Sequence, residues 1–286
     1  MLGGMRPVGS GALALARSCH PEPTVAVTVL LTGLAVTTGR DAVGVILVAA
    51  AVLTGQLSIG WLNDHLDAER DAAVGRRDKP VVDGAVSARS VGVAAGVAAV
   101  LCVPLSLASG LLAGTLHLVA VAAGLAYDLG LKSTRGSVLP YAVCFGLLPV
   151  FVVLGAGAAP PWWLPVAGAL LGSGAHFANV LPDLDDDRAT GVRGLPHRLG
   201  AGGSRVAAAV LLLAASIVLV VGVLGSAAAI PVPVAVAAPV VAAGVLVAGF
   251  AAGRRRGSRA PFRAVLVVAL IDVALLLAAG PALVSG

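Results

Sequence analysis

Residues 42–71 read AVGVILVAAAVLTGQLSIGWLNDHLDAERD, an apolar run that ends in a cluster of acids. As a helix, the apolar part at 42–62 is long enough to cross ~30 Å of hydrocarbon, which takes about 20 residues. The polar end places Asp64, Asp67 and Asp71 at i, i+3 and i+7. At about 100° per residue, these carboxylates share one helical face within roughly 60°. The stretch therefore predicts a membrane helix with three acids on one side of its end.

The same polar pattern occurs twice, and the second copy lies 116 positions after the first. Eight positions match one for one: Asn63, Asp67, Asp71, Gly75, Arg77, Pro80, Gly84 and Arg89 with Asn179, Asp183, Asp187, Gly191, Arg193, Pro196, Gly200 and Arg205. The chain has 14 Asp and Glu, and ten of them lie within 64–83 and 183–187. Because a solvated loop need not repeat in register, the match predicts an internal parallel repeat with chemistry in both copies.

The composition is that of an integral membrane protein. Hydrophobic residues make up 58% of the chain, charged residues 12%, and the mean hydropathy is +1.00, which is far from the balance of a soluble domain. We expect a single membrane domain over residues 1–286, an all-α bundle of about nine transmembrane helices. The predicted spans are residues 24–39, 42–62, 88–108, 110–126, 138–156, 161–181, 206–225, 230–250 and 262–282.

Basic residues fall on one side of these predicted spans. Of the 19 Lys and Arg, 18 lie in loops on the same side and only Arg40 lies opposite. The positive-inside rule then puts the N-terminus and both acidic copies on the cytoplasmic side, and we expect the plasma membrane. Since topology and an anionic leaflet explain the net charge of +5, no nucleic-acid partner is expected. The three cysteines suggest neither a disulfide framework nor a zinc site.

The acidic copies have the composition of a magnesium site. Asn179, Asp183 and Asp187 are spaced to share a helical face, whereas Asp185 points away. Like charges clustered at the end of a membrane helix are unfavourable unless a cation lies there. Oxygen ligands without His or Cys favour hard cations, and Mg²⁺ shares its shell between carboxylates and substrate phosphates. We therefore expect a Mg²⁺-diphosphate, with metal ligands Asp64, Asp67, Asp71, Asp183 and Asp187 and phosphate contacts from Arg77, Lys79, Lys132, Arg135 and Arg193.

These motifs resemble the UbiA superfamily of intramembrane prenyltransferases. The resemblance rests on the two acidic copies, on Arg17 with His20 and Pro21, and on Tyr127 with Lys132. It implies a helical bundle around a central cavity, in which both Asp motifs bind Mg²⁺ and a prenyl diphosphate beneath cytoplasmic loops. It also implies substrate contacts from Asn63, Asn179 and Arg17, with the isoprenoid tail inside the membrane. Lys79 stands where the family often has Arg, which keeps the charge but loses the bidentate fork.

The expected reaction is transfer of a prenyl group from an allylic diphosphate to a small acceptor, aromatic or lipid-like. Mg²⁺ stabilises the diphosphate that leaves as the carbocation forms, with catalytic roles for Asp67, Asp71, Asp183, Asp187 and Lys132. Tyr127 is expected either to stabilise the cation through its ring or to anchor its helix at the membrane interface.

Two other functions remain open at this point. One is an intramembrane terpene cyclase, for which the aromatic candidates are Tyr127, Tyr141, Phe145 and Phe177. The other is a secondary transporter, because internal repeats and intramembrane acids also mark transporters. His176 is interpreted as a packed neutral side chain rather than as a functional one.

Overall fold

The computed structural model describes residues 8–76, 79–226, 230–253 and 260–284, and these residues form helices without any strand. The α-helices are α1 (Val8–Arg17), α2 (Pro21–Thr37), α3 (Ala42–Ala73), α4 (Ala88–Leu107), α5 (Leu111–Asp128), α6 (Leu139–Gly155), α7 (Trp163–Val180), α8 (Leu184–Ala189), α9 (Leu195–Leu224), α10 (Val232–Ala252) and α11 (Ala260–Ala278). Short 3-10 turns cover Leu131–Ser133, Leu181–Asp183 and Gly280–Leu283. The all-α prediction is confirmed.

Six stretches of the described chain are long and apolar enough to cross a membrane. They are α3, α4, α5, the stretch Trp163–Ala189 that contains α7 and α8, α9 and α10. A seventh results if α1 and α2, which meet at a bend of 70°, form one broken span. Each of the nine predicted spans overlaps one of the helices α2–α7 and α9–α11. Fewer than nine of the described helices are long and apolar enough to cross a membrane, so the count of nine spans stays a prediction.

Neighbouring helices in the chain pack side by side, and the last returns to the first. The contacts run from α2 through α3, α4, α5, α6, α7, α9, α10 and α11, and α11 packs against α2. Gly168 and Gly172 allow α6 and α7 to approach closely, because an added Cβ at either position would collide with Phe145. Small residues four apart are the usual basis of close helix packing in membranes.

The bend between α1 and α2 brings the chain back toward α3. His20 has a left-handed backbone conformation (φ 53°, ψ 68°), and Pro21 follows it at the start of α2. The residue before a proline avoids the right-handed helical region, so a helix ends there. Trp61 Nε1 donates a hydrogen bond of 2.8 Å to the Leu15 carbonyl, which fixes α1 against α3. His20 is thereby held beside the polar end of α3.

The two acidic helices end in the same way. In α3, the N–H of Arg76 donates to the Asp71 carbonyl at 2.9 Å and that of Gly75 to the Ala72 carbonyl at 3.2 Å, a Schellman motif with glycine in the left-handed region (φ 74°). The equivalent bonds follow α8, where the N–H of Val192 donates to the Asp187 carbonyl at 2.8 Å and that of Gly191 to the Arg188 carbonyl at 3.3 Å. The turn that ends the helix therefore repeats in the two copies, while a parallel repeat of the whole chain stays a prediction.

Candidate active site

Three carboxylates of α3 share a buried face, as their spacing predicts. Asp64, Asp67 and Asp71 are 2%, 6% and 5% exposed. Asp71 also lies in the last turn of the helix, where the unpaired carbonyl groups carry partial negative charge. Burial, mutual repulsion and the field of the helix end all disfavour this arrangement unless positive charge lies nearby.

Lys79 supplies positive charge to one side of this face. Its ammonium group forms an ion pair with Asp64, and Nζ lies 3.8 Å from Asp71 Oδ2. His20 Nε2 lies 3.0 Å from Asn63 Oδ1, 3.1 Å from Asp64 Oδ1 and 3.3 Å from Lys79 Nζ. The structure thus brings Lys79 and Asn63, both predicted as substrate contacts, next to the acids, together with His20.

Lys132 and Arg70 hold Asp67 between them. Lys132 Nζ donates to the two Asp67 oxygens at 2.7 and 2.8 Å, and Arg70 Nη2 donates to Oδ2 at 2.6 Å. The Lys132 side chain is 12% exposed, so this pair is largely shielded from water. Charge-assisted hydrogen bonds of this length are about twice as strong as neutral ones. Lys132, which is predicted from the sequence as a phosphate contact with a catalytic role, therefore lies at the carboxylates of α3, and that role stays a prediction.

Asp128 is a fourth buried carboxylate at this site, and it is not among the site residues predicted from the sequence. Its Oδ1 accepts a hydrogen bond of 2.8 Å from Asn63 Nδ2 and lies 4.0 Å from Lys132 Nζ. Its Oδ2 is buried without a hydrogen-bond partner among the described residues. The signal that could have found it is an acid next to Tyr127 at the end of an apolar helix, where an ionisable group is a functional candidate by default.

The second acidic segment is not one continuous helix. The helix α7 ends at Val180, a 3-10 turn follows, and α8 starts at Leu184. Pro182 lies in that turn, and a proline inside a helix lacks the N–H and clashes with the carbonyl four residues earlier. The expectation that Asn179, Asp183 and Asp187 share the face of a single helix is therefore corrected, because the break sets their positions.

Two side chains connect the second segment to its surroundings. Arg76 Nη1 lies 3.5 Å from Asp183 Oδ1, which joins the end of α3 to the second copy. His197 Nε2 lies 3.0 Å from Asp187 Oδ2. Both acidic segments therefore meet at one end of the bundle. This arrangement argues against the transporter alternative, whose coupling sites usually lie at the middle of the membrane.

The remaining residues that the sequence predicts to contact the substrate are not paired with the carboxylates among the described residues. Arg17, Arg135 and Arg193 are exposed and form no ion pair with an acid among the described residues. Arg77 lies outside the described residues. Asp185, predicted to point away, has a side chain that is 98% exposed.

A group of aromatic rings adjoins the end of α5. The Tyr127 and Tyr141 rings meet edge to face with centroids 5.2 Å apart, and Tyr141 stacks with Phe145 at 6.2 Å. The His176 ring lies 4.8 Å from that of Tyr141, 5.6 Å from that of Tyr127 and 5.6 Å from that of Phe177. The four aromatic candidates predicted from the sequence thus lie together around His176, which is interpreted from the sequence as a packed neutral side chain.

Two hydrogen bonds connect this aromatic group to neighbouring elements. His176 Nε2 lies 3.1 Å from Ser137 Oγ, which in turn accepts a hydrogen bond of 3.0 Å from the Leu195 N–H. Asn179 Nδ2 lies 3.4 Å from the Tyr141 hydroxyl oxygen, a long contact by the usual criteria. Asn179 is therefore next to the aromatic group rather than among the carboxylates of α3.

The donor set of the acidic segments fits Mg²⁺, although the carboxylates are held by basic side chains in the structure. Among the described residues, no three His, Cys, Asp or Glu are grouped closely enough to hold a metal as they stand. The two acidic segments nevertheless carry carboxylate and amide oxygens, the ligands that Mg²⁺ prefers. A metal would need the ammonium and guanidinium groups to leave the carboxylates, and the metal ligand set stays a prediction.

Comparison with known proteins identifies the family of the chain. The family described as the UbiA prenyltransferase family matches residues 11–279. No curated protein sequence matches the chain.

Several solved structures share the fold. A UbiA homolog from Archaeoglobus fulgidus bound to GPP and Mg²⁺ has a TM-score of 0.70 at 17% identity, covering 92% of this chain and 98% of its own. The apo structure of a UbiA homolog from Aeropyrum pernix K1 has a TM-score of 0.71 at 22% identity, covering 89% and 96%. A digeranylgeranylglyceryl phosphate synthase has a TM-score of 0.70 at 15% identity, covering 97% and 99%. At these identities the likeness shows the fold.

Proposed function

The chain belongs to the UbiA prenyltransferase family, and on that premise we propose that it is a Mg²⁺-dependent intramembrane prenyltransferase. In this proposal it transfers a prenyl group from an allylic prenyl diphosphate to a small acceptor, aromatic or lipid-like. The observation that carries the proposal is the meeting of both acidic segments at one end of the bundle, where Arg76 reaches Asp183. A UbiA homolog of the same fold with GPP and Mg²⁺ bound supports it.

The metal ligands in this proposal are the carboxylates on facing elements, which are Asp64, Asp67, Asp71, Asp183 and Asp187. Mg²⁺ bound by them supplies the positive charge that stabilises the departing diphosphate. Asn63 adds an amide oxygen, and Asp128 positions Asn63 through the hydrogen bond of 2.8 Å from its amide nitrogen.

Lys79 and Lys132 change partners in this proposal. Both ammonium groups lie among carboxylates and are largely buried, so they are positioned close to where a metal-bound diphosphate would lie. Once a metal neutralises the carboxylates, the lysines are available to donate hydrogen bonds to diphosphate oxygens. Arg77, which lies outside the described residues, is a further predicted phosphate contact.

The apolar bundle keeps water from the allylic cation, which is the condition for transfer rather than hydrolysis. We propose nine membrane-spanning helices in a single domain over residues 1–286, arranged as two parallel repeats. We place the acidic end on the cytoplasmic side of the plasma membrane, because the basic residues cluster on that side. The prenyl chain then extends from the acids toward the aromatic group.

A terpene cyclase is the second candidate, and the aromatic group favours it. Ring faces stabilise successive cationic centres, and the rings of Tyr127, Tyr141 and Phe145 lie within 5.2 to 6.2 Å of their neighbours. A cyclase quenches the cation internally and needs no acceptor. The same metal site serves both reactions, so only the products separate them.

The deciding experiment identifies products of the purified full chain by mass spectrometry. Allylic diphosphates of increasing chain length are supplied with Mg²⁺, with and without a panel of aromatic and lipid acceptors. We expect a prenylated acceptor with at least one pair of substrates. If every diphosphate instead yields a cyclic hydrocarbon whether or not an acceptor is present, the transferase assignment is wrong and the cyclase is favoured.

A further inference from the structure

A basic pocket lies between α8 and the start of α9. It has a volume of about 310 Å³ and is lined by Arg188, Arg193, His197 and Arg198. At ~30 Å³ per water molecule, it is large enough for a phosphate or diphosphate group. No acidic side chain lines it, so its electrostatic character is that of an anion site.

His197 gives this pocket a buried polar wall. Its side chain is 4% exposed, and Nε2 lies 3.0 Å from Asp187 Oδ2. A carboxylate only accepts hydrogen bonds, so Nε2 carries the proton, and Nδ1 lies on the other side of the ring, away from Asp187. That Nδ1 is buried and has no hydrogen-bond partner among the described residues. A buried polar atom without a partner is costly. With the proton on Nε2, Nδ1 is an acceptor, so the partner that satisfies it is a donor, either a water molecule or the O–H of a singly protonated phosphate group.

The positive charge of the guanidinium groups in the pocket is only partly balanced by nearby acids. Arg188 donates to the His197 carbonyl at 2.7 Å and lies 3.6 Å from the exposed Asp185. Arg198 Nε donates to the Arg193 carbonyl at 3.1 Å, which fixes the loop. Neither Arg193 nor Arg198 has an ion pair within the part of the chain that the structure describes. Three guanidinium groups therefore face one cavity with a single weak counter-charge.

We propose that this pocket binds a phosphate group and that the site is separate from the carboxylate site. Arginine forks match phosphate oxygens bidentately. Two of the three side chains are held by hydrogen bonds that they donate to backbone carbonyls, Arg188 to that of His197 and Arg198 to that of Arg193. The phosphate belongs either to a free diphosphate or to a lipid headgroup, because the pocket lies where α9 enters the apolar bundle. Binding here requires no metal, since the pocket is lined by arginine and histidine side chains, and Asp187 lies behind His197, 3.0 Å from its Nε2.

The first arm of the test measures binding of inorganic pyrophosphate to the purified full chain in EDTA by equilibrium dialysis. Arg193→Gln and Arg198→Gln should each raise the Kd at least tenfold, equivalent to about 1.4 kcal/mol. Arg205→Gln is the matched control, because Arg205 is an exposed arginine further along α9. Lys132→Gln, which removes a cation from the carboxylate site, should leave this binding unchanged. Arg193→Gln keeps the test valid if Arg198→Gln disturbs the loop.

The second arm reconstitutes the same variants in phosphatidylcholine nanodiscs containing phosphatidylglycerol and measures retained phosphatidylglycerol by native mass spectrometry. Loss of retention in the Arg193 and Arg198 variants, without pyrophosphate binding in the first arm, identifies a lipid headgroup. The separate site is refuted if Lys132→Gln weakens pyrophosphate binding while Arg193→Gln and Arg198→Gln leave it unchanged. It is also refuted if neither arginine variant has an effect in either arm. Prenyl-transfer turnover is measured in parallel, so that loss of the phosphate site can be distinguished from failure of the transferase assignment.

Discussion

Replacing Asp67 by asparagine separates the structural role of this carboxylate from its proposed role in binding the metal. Asp67 accepts hydrogen bonds from Lys132 at 2.7 and 2.8 Å and from Arg70 at 2.6 Å. Asp67→Asn leaves the Lys132 ammonium buried, with Asp128 Oδ1 4.0 Å away as its remaining acid. Removing one partner of a buried ion pair costs about 3–5 kcal/mol. We expect the low end, about 3 kcal/mol, because the Arg70 side chain is 25% exposed and can turn toward water.

The activity should fall by more than the stability effect explains. Losing one preorganised charge contact to the transition state costs about 2.7–4 kcal/mol, or roughly 10²- to 10³-fold in turnover. The assay measures product formation at saturating Mg²⁺ and prenyl diphosphate, at a temperature where the variant is folded. Asp185→Asn is the control, since that side chain is 98% exposed, and it should change turnover less than about twofold, as surface substitutions are nearly neutral.

The double variant Asp67→Asn with Lys132→Gln completes this test. Replacing both partners of a buried ion pair by neutral groups is often close to neutral for stability. We therefore expect the apparent Tm to recover toward that of the wild type, while turnover stays at least about 100-fold below it. Recovery of turnover together with stability would show that Asp67 serves only as a structural ion pair, and the metal assignment of this residue would be refuted.

Three further predictions concern the metal, the topology and the reaction. Turnover should stop in excess EDTA and return with Mg²⁺, and Mg²⁺ should bind more tightly with pyrophosphate present than without it; full activity in EDTA contradicts the metal site. In a background without native cysteines, single cysteines replacing the exposed Ala73 and Ala189 should be labelled only from the cytoplasmic side. A cysteine replacing Ala159 should be labelled only from outside. If the cysteines at 73 and 189 are labelled from opposite sides, the two acidic segments do not lie at the same end of the bundle. With an allylic diphosphate and Mg²⁺ alone, slow release of prenyl alcohol is expected, and a dominant cyclic terpene overturns the transferase assignment.

The sequence predicted those site residues that depend on local spacing. Asp64, Asp67 and Asp71 lie on one face because helical periodicity alone determines their relative directions over two turns. Lys132 was harder to assign, because its contact with Asp67 joins α3 to the 3-10 turn after α5. Its charge and a family resemblance, rather than a periodicity, pointed to it.

Where the prediction failed, a non-local or backbone effect was responsible. The spacing of Asn179, Asp183 and Asp187 was treated as helical, although Pro182 lay inside it and proline interrupts helices. Asp128 and His197 were missed because their significance lies in contacts between separate elements, with Asn63 and with Asp187. Nothing in the sequence close to either residue indicates those partners.

The charge arrangement at the acidic end implies that the metal and the diphosphate bind together. A divalent cation alone would displace Lys79 and Lys132 from carboxylates. In a poorly hydrated site, Lys79 would then have no nearby acid and Lys132 only Asp128, whose Oδ1 lies 4.0 Å away. A diphosphate alone would meet Asp64, Asp67 and Asp71, which repel it. Bound together, the metal takes the carboxylates and the diphosphate takes the lysines, so that every buried charge keeps an opposite partner, which burial requires. Each ligand thus lowers the free-energy cost of binding the other, and this coupling is by necessity reciprocal.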